Sequence, residues 1–107
     1  MKEMSFIYDR EADSLFLFRE DRVEDSSIGM GEIIIGFDKG LNLASLEILN
    51  PDKLYKIPKS HLSKLRKARM QASCRGSVLW IHLELEMEQE SKEIPISIPL
   101  ERPLACR

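Results

Sequence analysis

The chain has 107 residues, 43% hydrophobic and 32% charged, with a formal net charge of -2. A length of this order corresponds to one domain that buries roughly two-thirds of its extended surface on folding, and the composition excludes a disordered chain. The slightly acidic balance excludes general nucleic-acid affinity, two cysteines (Cys74 and Cys106) exclude a disulfide framework, and no apolar run approaches the ~20 residues of a membrane span. The N-terminus, Met1-Lys2-Glu3-Met4, lacks the apolar stretch of a signal peptide. The expectation is a cytoplasmic protein with free thiols and no membrane contact.

Residues 5–8 and Ser14–Phe18 are aromatic and aliphatic runs flanking Asp9-Arg10-Glu11-Ala12-Asp13, a hairpin pattern. Residues 20–27 are mostly polar and read as a loop. A second hairpin pairs residues 32–37 with Leu43–Leu49 across Asp38-Lys39-Gly40, where Gly40 can supply a positive φ. Asn50 can cap and Pro51 can open a helical turn reaching Tyr55. From Pro58 to somewhere in 70–73, the spacing of Leu62, Leu65, Ala68 and Ala72 predicts an amphipathic helix, stopped by Arg75-Gly76. The last third alternates strictly. Leu79, Ile81, Leu83, Leu85 and Met87 interleave with Trp80, His82, Glu84 and Glu86. The partner run places Ile94, Ile96, Ile98 and Leu100 on one face and Pro95, Ser97 and Pro99 on the other, and two prolines assign it to a sheet edge.

These elements predict an α+β domain of mostly antiparallel hairpins with one basic helix between the N-terminal and C-terminal hairpins. The expected division of the single domain 1–107 is two hairpins in 1–50, a helical segment in 51–73 and a C-terminal hairpin in 77–100.

The first half has a recognisable pattern. Tyr8-Asp9-x-x-Ala12-Asp13-x-Leu15-Phe16-Leu17, followed by Phe37-Asp38-x-Gly40-x-x-Leu43-x-x-Leu46-Glu47-Ile48-Leu49, resembles the family catalogued as domain of unknown function 2283, over about residues 5–50. The resemblance implies a short prokaryotic protein with no assigned activity. The residues themselves read structurally: Asp9, Asp13 and Asp38 are turn builders whose carboxylates accept backbone N–H bonds.

Candidate chemistry fails on spacing. Asp9, Glu11, Asp13 and Glu20 match four positions of a calcium loop, but Ser14 stands where the sharp turn needs glycine. His61, His82, Cys74 and Cys106 lack the paired spacing of a zinc site. Gly29-Met30-Gly31 precedes a strand, whereas a dinucleotide loop follows one. No elbow motif surrounds Ser73-Cys74. The reading is therefore a non-enzymatic chain without cofactor, metal or catalytic residues.

Charge is the distinctive feature. Residues 53–75 hold eight of the 16 basic residues and no acid, leaving the other eight with all 18 acids. Lys59, Lys64, Arg66, Lys67 and Arg69 are the candidate partner-binding face. The reading favoured is a small partner-binding or self-associating module, a homodimer or higher oligomer, with an acidic protein as the alternative partner of the basic face. A nucleic-acid-associated regulator using that face is the runner-up, because the acidic remainder opposes phosphate.

Overall fold

The computed structural model describes residues 1–100. In chain order it holds β1 (Lys2–Asp9), β2 (Ser14–Phe18), β3 (Ser26–Met30), β4 (Ile33–Phe37), β5 (Leu43–Leu49), α1 (Pro51–Tyr55), α2 (Lys59–Leu62), β6 (Leu65–Arg75), β7 (Val78–Met87) and β8 (Ser91–Pro99). All strand pairs are antiparallel, and the sheet order is β3-β4-β5-β2-β1-β6-β7-β8. β1 is the fold line. Lys2, Glu3 and Met4 pair with β6, whereas Ser5 through Asp9 pair with β2. The sheet therefore curls into a half-barrel whose two wings face each other.

Alternation decides which face is inside. Leu15 and Leu17 on β2, Ile33 and Ile35 on β4, and Leu46 and Ile48 on β5 are buried on one wing. Leu79 to Met87 at odd positions of β7, with Ile94, Ile96 and Ile98 of β8, are buried on the other. Ile57 and Leu62, from the helical connection, enter the same core. Each fully buried leucine or isoleucine contributes about 1.5–3 kcal/mol, so the two wings hold each other by their inner faces.

The α+β expectation is corrected here. Strands take up 60% of the described residues and helices 9%, and the segment read as an amphipathic basic helix is not one. Its first turn is the four-residue α2, and the rest is β6, bonded to β1 on one side and β7 on the other. The three- and four-residue stripe breaks up accordingly: Leu62 and Ala68 are buried, while Ala72 is exposed. Leu, Arg, Lys, Ala, Met and Gln all favour a helix locally. An isolated helix of that length is marginal in water, whereas a strand there joins the wings and buries Ala68 and Met70. Tertiary pairing overrides propensity.

Smaller corrections have similar causes. The loop over 20–27 ends early, because Ser26 begins β3. Leu41, at φ 61, takes the positive φ expected of Gly40. Asn50 lies in the left-handed region with no side-chain cap bond; its amide donates to Glu32 Oε2 at 2.8 Å instead. Cys74 is disulfide-bonded, not a free thiol, and Cys106 lies outside the described residues.

Candidate association surface

The family motif builds turns. Tyr8 Oη donates to Asp13 Oδ1 at 2.7 Å, and Asp13 is buried at φ 50 at the end of the β1–β2 turn. Asp9 Oδ1 accepts from the Ala12 N–H at 3.1 Å. Asp38 Oδ1 accepts the N–H groups of Gly40 and Asn42, both at 2.9 Å. These bonds leave electrostatic signatures. Burial, then the hydrogen bond and charge of Asp13, push the Tyr8 hydroxyl well above its ordinary range. The Asn42 backbone N–H, with the Asn42 side chain and Gly40 N–H behind it, holds Asp38 below the usual carboxylate range.

The candidate basic residues are dispersed by the strand. Lys59 is on α2, Lys64 follows it, and Arg66, Lys67 and Arg69 lie on β6. A register shift between Leu65 and Lys67 sets Arg66 beside a bulge. Lys67 and Arg69 share the outer face, opposite Glu86 and Glu84 of β7. Arg69 Nη1 lies 2.5 Å from Glu84 Oε1, and its Nη2 is 3.8 Å from Glu86 Oε2. At these two positions of β6, basic residues face acids across the sheet.

The histidines sit apart. His61 Nδ1 meets Glu90 Oε2 at 2.5 Å, and His82 Nε2 lies 3.9 Å from Glu93 Oε1. Among the described residues, no three His, Cys, Asp or Glu side chains are grouped to hold a metal ion. An open cleft of about 360 Å³ lies near the β1–β6 seam, lined in part by Lys2, Arg19 and Arg22. Both guanidinium groups are engaged by the chain itself, Arg19 by Asp21 at 3.1 Å and Arg22 by the Leu43 carbonyl at 2.6 Å.

The two ends of the sheet differ most. At β8, the Met87 N–H donates to the Glu90 carbonyl at 2.8 Å and the Leu100 N–H to Ser77 at 2.6 Å. Bonded and non-bonded pairs alternate in an antiparallel ladder, so the even residues of β8 bond to β7 and the odd residues face outward. Two of those outward positions are Pro95 and Pro99, which have no N–H. At β3 the parity is set by the Leu49 N–H donating to Glu32 at 2.8 Å. Glu32, Ile34 and Gly36 thus bond toward β5, and Ile33, Ile35 and Phe37 bond toward β3. The inward-bonded residues of β3 are Ser26, Ile28 and Met30, and the N–H and C=O groups of Ser27 and Gly29 point to the open edge. This edge carries no proline and no charge. Ile28 and Met30 are each 41% exposed. Gly31, at φ 59, opens the tight Gly31-Glu32 turn that pairs Met30 with Ile33.

β3 is the element missed in the sequence. Its signal was present in the alternation of Ser26, Ile28 and Met30 and in a glycine turn ahead of the Ile33–Phe37 run.

Comparison with known proteins agrees with the motif reading. The family described as "Protein of unknown function (DUF2283)" matches residues 5–50. The resemblance holds. That span runs from within β1 through β5 and includes β3. The chain is also 28% identical, over 88 residues, to "Uncharacterized protein MJ0789" of Methanocaldococcus jannaschii, covering 81% of this chain and 76% of that protein. The aligned length exceeds the family span, so this likeness continues beyond it. No solved structure matches. Among the described residues, no helix is long and apolar enough to cross a membrane.

Proposed function

We propose that this chain is a non-enzymatic self-association module and that its association element is the N-terminal sheet rather than the basic segment. The observation that carries the reading is the asymmetry of the sheet. One edge is blocked by Pro95 and Pro99, and the other exposes unpaired backbone groups beside Ile28 and Met30. An unblocked edge is a template for another strand. The outer face of the same wing adds Ile7, 59% exposed, cross-strand from Phe16, whose ring stacks on Phe18 at 5.3 Å.

The basic segment supports a binding role less well, because Arg69 is engaged by Glu84 and Glu86 and Lys67 lies opposite Glu86. Sedimentation equilibrium at micromolar concentration tests the reading. Reversible association above the 12.4 kDa monomer is expected; a monomer at every concentration removes it.

A further inference from the structure

We infer that the occupant of the β3 edge is the β3 strand of a second copy, antiparallel, with the two-fold axis beside Ile28. This rests on the self-association reading above and specifies its geometry. The outward groups of β3 are those of Ser27 and Gly29, and a two-fold at Ile28 sets Ser27 of one protomer opposite Gly29 of its partner, twice. Both become hydrogen-bonded pairs, so every outward N–H and C=O of the strand is satisfied by the same strand in the other copy. Centring the axis on Ser27 or Gly29 instead pairs a strand residue with Asp25 or Gly31, outside β3.

Side chains fit the same register. Ile28 and Met30 are cross-strand from Ile35 and Ile33, so they belong to the inner, apolar face. The proposed axis brings Ile28 against Ile28 of the partner subunit in a non-hydrogen-bonded pair, where side chains approach most closely. Met30 then meets Ser26 of the partner subunit. On the outer face the strand offers only Ser27 and Gly29, and a Cβ at Gly29 has nothing within 4 Å. Two of the acids near the strand, Glu24 and Glu32, are held by their own chain. Glu24 Oε1 accepts from Ser45 Oγ at 2.6 Å and lies over Gly36, where a Cβ would collide with it. Glu32 Oε2 accepts from Asn50 at 2.8 Å. Paired in this way, one sheet runs from β8 of one protomer to β8 of its partner, ending at both ends on a proline-blocked edge, which closes the assembly at two.

Single cysteines read the register. Ile28→Cys should cross-link to a covalent dimer under mild oxidation, beyond the level of the unsubstituted chain. Ser26→Cys alone and Met30→Cys alone should not, but their equimolar mixture should. In parallel, Gly29→Lys should raise the dimer dissociation constant at least about tenfold by placing a charge on the edge, with circular dichroism confirming an unchanged strand signal. Cross-linking of Ser26→Cys or Met30→Cys with itself, or an unchanged constant in folded Gly29→Lys, overturns this inference while a dimeric unsubstituted chain leaves the self-association reading standing. A monomeric unsubstituted chain overturns both.

Discussion

The two edge strands solve the same problem in opposite ways. β8 and β3 each lie against one neighbour and leave a row of backbone groups exposed. β8 removes alternate donors with Pro95 and Pro99 and places Lys92 and Glu93 along the strand, both recognised means of discouraging edge pairing. β3 uses none of these, although charged residues are plentiful elsewhere: Glu20, Asp21, Glu24 and Asp25 all precede it. The difference teaches that exposure of an edge is not a passive consequence of where the sheet ends. In one chain, one terminus of the sheet carries prolines and charges and the other carries neither.

The strongest way to break this comparison is to swap the parity of a proline on β3. Ile28→Pro removes an inward donor and leaves the Ile35 carbonyl unmet, which should cost about 1–3 kcal/mol in urea unfolding. Gly29→Pro removes only an outward donor and should change monomer stability by no more than about 0.5 kcal/mol. Equal losses in the two variants would show that the assigned parity is wrong. A gentler test opens the closed edge. Pro95→Val restores an outward donor on β8, and Pro95 is exposed, so monomer stability should move by less than about 1 kcal/mol. Species larger than the unsubstituted assembly should appear in sedimentation velocity; an unchanged distribution would mean that the prolines are not what closes that edge.

Legibility in the sequence followed the same division. β7 and β8 were readable because strict alternation and two prolines leave one interpretation, and the structure puts β8 at the edge as expected. α1 was also legible from Pro51 at its first turn, although Asn50 does not cap it with its side chain. β6 was not. Its residues favour a helix one by one, and only its non-local partners, Met4 and Glu3 on β1 and Leu83 and Leu85 on β7, make it a strand. β3 was hidden for a different reason: five small or uncharged residues next to an acidic stretch offer little apolar contrast. Of the candidate site, the basic residues were assigned to one helix face, which a strand cannot present. The open edge depends on sheet order, and sheet order is not written in any single segment.

The N-terminal wing also differs in how its turns are held, and pH exposes this. The folded pKa of Tyr8 is raised, so its stabilising contribution is complete below the unfolded value of about 10 and is lost as pH rises beyond it. Thermal midpoints of the unsubstituted chain should therefore fall more steeply above that pH than those of Tyr8→Phe. Identical alkaline slopes would remove the Tyr8–Asp13 bond as a stabilising link.

Amide hydrogen exchange at high and low protein concentration tests the central claim most directly, because it reports on both edges in one sample. The outward amides are Ser27 and Gly29 on β3, and Ser91, Glu93 and Ser97 on β8. Ser27 and Gly29 should gain protection as concentration rises through the association range, while Glu93 and Ser97 exchange rapidly throughout. Fast exchange at Ser27 and Gly29 in a sample shown to be dimeric would contradict it.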